Sequence, residues 1–158
     1  MGNFDQEKNI LKKYARKGQC FSTSTFVRTL RHEEVKMDLP DIKRNGFTFT
    51  DGVGYISKEL ARLTAAKFGY SKCSAFQIRI AGAKGVLMVK PGMKESLIQL
   101  RQSQIKFFSN DLTFNVIRCA TFGQGYLNRQ IITLLNCLGV PESYFLMMQR
   151  KAKEFASV

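Results

Sequence analysis

Ala75-Phe76-Gln77-Ile78-Arg79-Ile80-Ala81-Gly82-Ala83-Lys84-Gly85-Val86-Leu87-Met88-Val89-Lys90-Pro91-Gly92 is the stretch whose reading decides the fold. Its first half alternates, with Phe76, Ile78 and Ile80 on one face and Gln77 and Arg79 on the other, which is the period of a half-buried strand. Gly82-Ala83-Lys84-Gly85 reads as a turn, because glycine accepts the positive φ that a tight reversal demands. Val86-Leu87-Met88-Val89 follows as a more fully buried strand, closed by Pro91-Gly92. The centre of the chain is therefore β.

Upstream, Phe47-Thr48-Phe49-Thr50 alternates ahead of Asp51-Gly52, a second strand-then-turn signal. Ser57 is placed to cap a helix that carries Glu59 in its first turn, buries Leu60, Leu63 and Ala66, and stops at Gly69. Downstream, Ser96–Leu100 and Leu112–Cys119 add two strand candidates, separated by RQSQIKFFSND. Several short strands closing on one apolar core, with helices outside, favour a barrel over an open sheet. The expected class is α+β.

The flanks read differently. A helix is expected from Asp5 to Lys17, capped by Asp5, stopped by Gly18 and presenting Ile10, Leu11 and Tyr14 on one face as a connector. Gln19 to Asn45 reads as loop-rich, with a short strand in FSTSTFV and the breaker Pro40 near its end. In the last third, Leu127, Ile131, Leu134, Leu135 and Leu138 form a helical stripe that ends at Gly139, and Pro141 opens a second helix running to Phe155. Phe145, Met148, Ala152 and Phe155 face one way along that second helix; Met147 and Met148 read as packing residues. The expected organisation is a connector over residues 1–45, a barrel over 46–125 and a helical hairpin over 126–158.

Charge narrows the function. The 158 residues hold 25 Lys plus Arg against 12 Asp plus Glu, a net charge of +13 that calls for a polyanionic partner. Between Leu60 and Asn110 nine basic residues face a single acid, Glu95, so that stretch alone carries +8 on the proposed strands and turns. Surfaces that serve only solubility intersperse acids. Lys84 stands between Gly82 and Gly85, where the backbone can approach a ligand closely, and Arg101-x-Ser103-x-x-Lys106 sets a guanidinium, a hydroxyl and an ammonium on one rim.

Other chemistries lose support. Cys20, Cys73, Cys119 and Cys137 show no C-x-x-C spacing, so zinc is not indicated and a reduced intracellular setting, cytoplasm or nucleus, is expected. The one histidine, His32, lies in the polar run Arg31-His32-Glu33-Glu34, which argues against a Ser-His-Asp triad or metal hydrolysis. No Asp-x-Asp motif occurs, although two-metal nucleotidyl transfer needs clustered carboxylates. Asp51 reads as a turn residue. No apolar run approaches the ~20 residues of a membrane span, and MGNFDQEKNILKK lacks a signal core.

Taken in order, Gly18-Gln19-Cys20-Phe21-Ser22, Phe49-Thr50-Asp51-Gly52-Val53-Gly54-Tyr55-Ile56-Ser57, Ala75-Phe76-Gln77-Ile78-Arg79 with Gly82-x-Lys84-Gly85-Val86, Leu100-Arg101-x-Ser103-x-x-Lys106-Phe107, and Leu127-Asn128-Arg129-Gln130 with Leu138-Gly139-Val140-Pro141 resemble the cellular RNA-dependent RNA polymerases of RNA silencing. The resemblance implies the first of two double-psi β-barrels, with an inserted helix, and a partner barrel that carries an Asp-x-Asp-Gly-Asp loop binding catalytic Mg²⁺. This chain holds no such loop. By that resemblance Lys84 and Lys106 are the catalytic cations, and Arg79, Arg101, Gln77 and Ser103 contact RNA or nucleotide. The implied partners are template and product RNA, nucleoside triphosphates and the rest of the polymerase. In the family pattern Arg101 is followed by Pro-Ser-Met; here it is followed by Gln102-Ser103-Gln104.

The expected function is thus half of a polymerase site in a fragment inactive by itself. The alternatives are a free-standing basic β-barrel that binds RNA without chemistry, and a module that docks an acidic protein.

Overall fold

The computed structural model describes residues 7–18, 22–93, 97–123, 125 and 127–156. The chain separates into two compact units, Met1–Thr121 and Phe122–Val158.

The first unit opens with helix α1 (Ile10–Lys17), capped by Asn9, whose side chain accepts the Lys12 N–H at 3.0 Å. Asp5, the expected cap, lies outside the described residues. Gly18 closes α1 in right-handed geometry at φ −64°, so no left-handed glycine stop is used, and Ile10, Leu11 and Tyr14 stay exposed. Among the described residues nine strands follow, with one α-helix among them: β1 (Thr25–Thr29), β2 (Val35–Leu39), β3 (Lys43–Arg44), β4 (Phe47–Thr48), β5 (Val53–Ile56), α2 (Lys58–Lys67), β6 (Ala75–Ile80), β7 (Ala83–Val89), β8 (Ile98–Arg101) and β9 (Thr113–Cys119).

Seven of these strands form one sheet in the order β1-β9-β6-β7-β5-β8-β2, while β3 and β4 make a separate small hairpin. Pairing is mostly antiparallel, with two parallel pairs, β2–β8 and β5–β7. Phe76 and Ile78 of β6, Leu87 of β7, Ile98 and Leu100 of β8, and Phe114 and Val116 of β9 meet Ile56 and Leu60 in a core that excludes water. Burial of that apolar area is the main source of stability.

Three sequence expectations are corrected. The reversal between β6 and β7 is Ala81-Gly82, at φ 49° and 73°, with Ile80 opposite Ala83. A two-residue hairpin loop needs positive φ at both positions, so Lys84 falls within β7, opposite Arg79. Strand β7 buries Leu87 fully but leaves Val86 and Val89 half-buried and Met88 exposed, since only one of its faces meets the core. In the segment read as loop-rich, the short strand expected in FSTSTFV is β1, shifted to Thr25–Thr29, and β2 is an additional strand; the two are the ends of the sheet order. Each buries one strand residue, Val27 and Val35, and in β2 that is too thin an apolar signal to stand out beside charged neighbours.

Helix α2 starts where expected. The Ser57 hydroxyl accepts the Leu60 N–H at 3.3 Å and the Leu97 N–H at 3.2 Å, and Gly69 ends the segment at φ 75°. Its buried stripe is Leu60, Ala61, Thr64 and Ala65, whereas Leu63 is 42% exposed and Ala66 faces out. Small residues let the helix approach closely, and the Thr64 hydroxyl is satisfied by the Leu60 carbonyl at 2.7 Å.

The second unit holds α3 (Arg129–Cys137) and α4 (Glu142–Ala156). Asn128 caps α3 by accepting the Ile131 N–H at 2.9 Å, and Gly139 takes φ 95° between the helices. Tyr126, the expected start, lies outside the described residues. Neither helix fully buries a side chain. Among the described residues no helix is long and apolar enough to cross a membrane.

Candidate functional site

The β6–β7 hairpin brings Arg79 and Lys84 opposite one another, because a two-residue loop pairs positions equidistant from it. The chain returns to the same hairpin twenty residues later. Ile105 bridges Ala83, and the Lys106 N–H donates to the Gly82 carbonyl at 3.0 Å. Arg79, Lys84 and Lys106 therefore gather at one end of the sheet.

Their electrostatics are those of neighbouring like charges. The Lys84 ammonium is held below the usual lysine range by partial burial and then by the positive charges of Arg79, Lys106 and Arg16. It has no hydrogen-bond or ion-pair partner among the described residues. Burial also lowers the Arg79 guanidinium, whose Nη1 donates to the Ile78 carbonyl at 2.9 Å while Nε is buried without a partner. Lys106 donates its ammonium to the Ser103 carbonyl, a neutral acceptor. Gln77 is exposed two positions before Arg79, on the same side of β6, with Val86 and Arg118 beside it on the flanking strands. Arg16 is itself ion-paired with Glu7, whereas Arg79, Lys84 and Lys106 have no ion-pair partner among the described residues; like charges brought together raise the energy of the charged forms, which an anion would relieve.

Two expected contacts sit elsewhere. Arg101 is only 3% exposed: its Nε donates to the Val53 carbonyl at 2.7 Å, its Nη1 to the Pro40 carbonyl and its Nη2 to the Tyr55 hydroxyl at 3.4 Å. Its guanidinium is engaged inside the fold. Ser103 donates N–H and hydroxyl to the Asp41 carboxylate at 3.1 and 2.8 Å, and its Oγ accepts the Gly52 N–H at 3.1 Å.

Two residues that sequence reasoning missed hold this wall together. Gln104, fully buried, ends a 3₁₀ turn (Gln102–Gln104); its Oε1 accepts the Arg101 N–H at 3.0 Å and its Nε2 donates to the Val86 carbonyl at 3.3 Å. A Cβ on Gly54 would lie 2.5 Å from Gln104 Oε1, and one on Gly85 would lie 2.2 Å from the Gly52 carbonyl oxygen, so both glycines are required for the close approach. Asp41 is the other. Its carboxyl feels burial pushing upward, but hydrogen bonds from Ser103 and Thr50 and the charge of Arg101 outweigh it and hold the group below the usual aspartate range. Glycine at 54 was the one available signal for Gln104; nothing local marked Asp41.

Among the described residues no group of three or more His, Cys, Asp or Glu is placed to hold a metal ion. Asp51 is exposed in its turn. The side chains present therefore do not fit a resident divalent cation.

Cations gathered at one end of a mixed β-sheet are candidate contacts for an anionic ligand. The family model for RNA dependent RNA polymerase matches residues 1–156, and the chain belongs to that family. It is similar to RNA-dependent RNA polymerase 6 of Arabidopsis thaliana, 43% identical over 154 residues, covering 94% of this chain and 13% of the relative. RNA-dependent RNA polymerase 1 of Schizosaccharomyces pombe is 39% identical over 157 residues, covering 95% of this chain and 13% of that protein. The solved RNA dependent RNA polymerase QDE-1 from Thielavia terrestris shares the fold with a TM-score of 0.68 at 24% identity, over 77% of this chain and 14% of that one. The chain spans a small part of the polymerases it matches.

Proposed function

We propose that this chain is part of an RNA-directed RNA polymerase of the RNA-silencing type, supplying the basic half of a site that adds nucleotides from triphosphates to an RNA 3′ end. The observation that carries the reading is the meeting of Arg79, Lys84 and Lys106 at one end of the sheet, none of them in an ion pair among the described residues. The fold reading is a double-psi β-barrel, supported by the parallel pairs β2–β8 and β5–β7 within an otherwise antiparallel sheet.

In this reading Lys84 and Lys106 face the triphosphate. Charge on the transferring phosphoryl group and on the departing pyrophosphate is stabilised by fixed cations that need no reorganisation. A lysine already desolvated among like charges gains more from an arriving phosphate than a solvated one does. Arg79 and Gln77 line the neighbouring strand surface for RNA. Arg101 and Ser103, with their polar groups used internally, act by holding the wall rather than by touching RNA. The acidic loop and its Mg²⁺ belong to a second barrel elsewhere in the polymerase, and the isolated chain is expected to bind RNA without extending it.

Lys84→Ala and Lys106→Ala in the intact polymerase test this. Each should lower kcat by roughly a hundredfold, the scale of losing one preorganised donor, with template affinity little changed. Wild-type turnover in both variants would refute the assignment.

A further inference from the structure

Asp41 lies between β2 and β3, outside the cation cluster, yet its carboxylate grips one residue of the turn that leads to Lys106. Oδ2 accepts the Ser103 N–H at 3.1 Å, and Oδ1 accepts the Ser103 hydroxyl at 2.8 Å and the Thr50 hydroxyl at 3.0 Å. The carbonyl of that same Ser103 accepts the Lys106 ammonium. The turn is tied down on both sides. Arg101 donates to the Pro40 carbonyl, Gln102 Nε2 donates to the Met37 carbonyl at 3.1 Å, and Gln104 is locked in the core. Residues 101–103 are thus each bonded to the 37–41 strap. A peptide held at its N–H, its own side chain and the following residue has little freedom to swing its carbonyl.

The geometry points to Asp41 as a positioning residue for the reaction: through the Ser103 carbonyl it sets where the Lys106 ammonium stands relative to Lys84 and the triphosphate. This inference rests on the role given to Lys106 above. Within the wall the charge of buried Arg101 also favours the ionised carboxylate.

The test uses the intact polymerase carrying Asp41→Asn, Asp41→Ala, Lys106→Ala and the Asp41→Asn/Lys106→Ala pair, with RNA binding measured alongside steady-state nucleotide incorporation. Asn keeps one acceptor oxygen and the size of the side chain, so Asp41→Asn carries the result where Asp41→Ala does not fold. Asp41→Asn should lower kcat roughly tenfold, as expected for a displaced charged group, with template affinity unchanged. In the Lys106→Ala background it should lower kcat no further, because two residues acting through one contact are not additive. A full additional loss in that background overturns the inference while leaving Lys106 in place; so does a wild-type kcat for Asp41→Asn. Wild-type turnover in Lys106→Ala instead refutes the underlying site.

Discussion

Gly82→Ala and Gly92→Ala form a matched pair that isolates the effect of one close approach. Both glycines are left-handed, at φ 73° and 77°, so an alanine at either costs a similar backbone penalty of about 1–2 kcal/mol. Their surroundings differ. A Cβ on Gly92 meets nothing within 4 Å, whereas one on Gly82 would lie 2.0 Å from the Phe107 carbonyl oxygen. Ordinary contact begins at 3.4 Å, so that carbonyl must retreat by about 1.4 Å, the difference of the two distances. Phe107 directly follows Lys106, whose own N–H is bonded to the Gly82 carbonyl, so the retreat passes straight to that lysine. A misplacement near 1 Å is worth about a hundredfold in rate. Steady-state nucleotide incorporation, normalised to RNA-bound polymerase, should therefore fall about a hundredfold for Gly82→Ala, and Gly92→Ala should stay near wild type. Equal activities in the two variants would refute the link from hairpin tip to Lys106.

Arg101→Met should destabilise by about 1–3 kcal/mol through loss of the hydrogen bonds to the Val53 and Pro40 carbonyls, and Arg101→Lys should not restore it because a point charge lacks the planar fork; a stable Arg101→Met polymerase with sharply weakened RNA binding would move the guanidinium to the interface. Burial raises the Glu34 carboxyl, but the Arg31 N–H, the Arg28 hydrogen bond and both arginine charges outweigh it, so its folded pKa lies below the ordinary 4.5. Its stabilisation is therefore present above that value and lost as pH falls through the folded one; Glu34→Gln should lose about 1–3 kcal/mol by chemical denaturation at neutral pH, with the gap to wild type closing in acid, and a pH-independent gap would contradict this. Burial and the adjacent Cys73 push the Cys119 thiol up to about 11, while Cys137 is exposed, so iodoacetamide at mildly alkaline pH should label Cys137 first by mass spectrometry. Equal labelling rates would contradict the burial of Cys119.

Local signals in the chain determined a good deal. Alternation at Phe76, Ile78 and Ile80 marks β6 because one face of that strand meets the core and the other does not. Ser57 and Gly69 bound α2 because cap chemistry acts within three or four residues. The ordered motifs from Gly18 to Pro141 were enough to place the chain in its polymerase family. Lys84 and Lys106 stood out by their glycine and arginine neighbours.

What the sequence could not settle depends on partners far along the chain. β2 becomes a strand by pairing with β8, and its own apolar residues are too few to announce it. The reversal is centred on Ala81-Gly82, two positions earlier than the expected Ala83-Lys84, because the register of β6 on β7 chooses the loop. Arg101 and Ser103 look like surface donors in a polar run. Only the fold turns them inward, since Val53, Pro40 and Asp41, their acceptors, arrive from segments about fifty to sixty positions away. Gln104, buried, and Asp41, half-buried, are invisible locally for the same reason: such a polar group is defined by the partners that satisfy it, and tertiary structure alone brings those partners together.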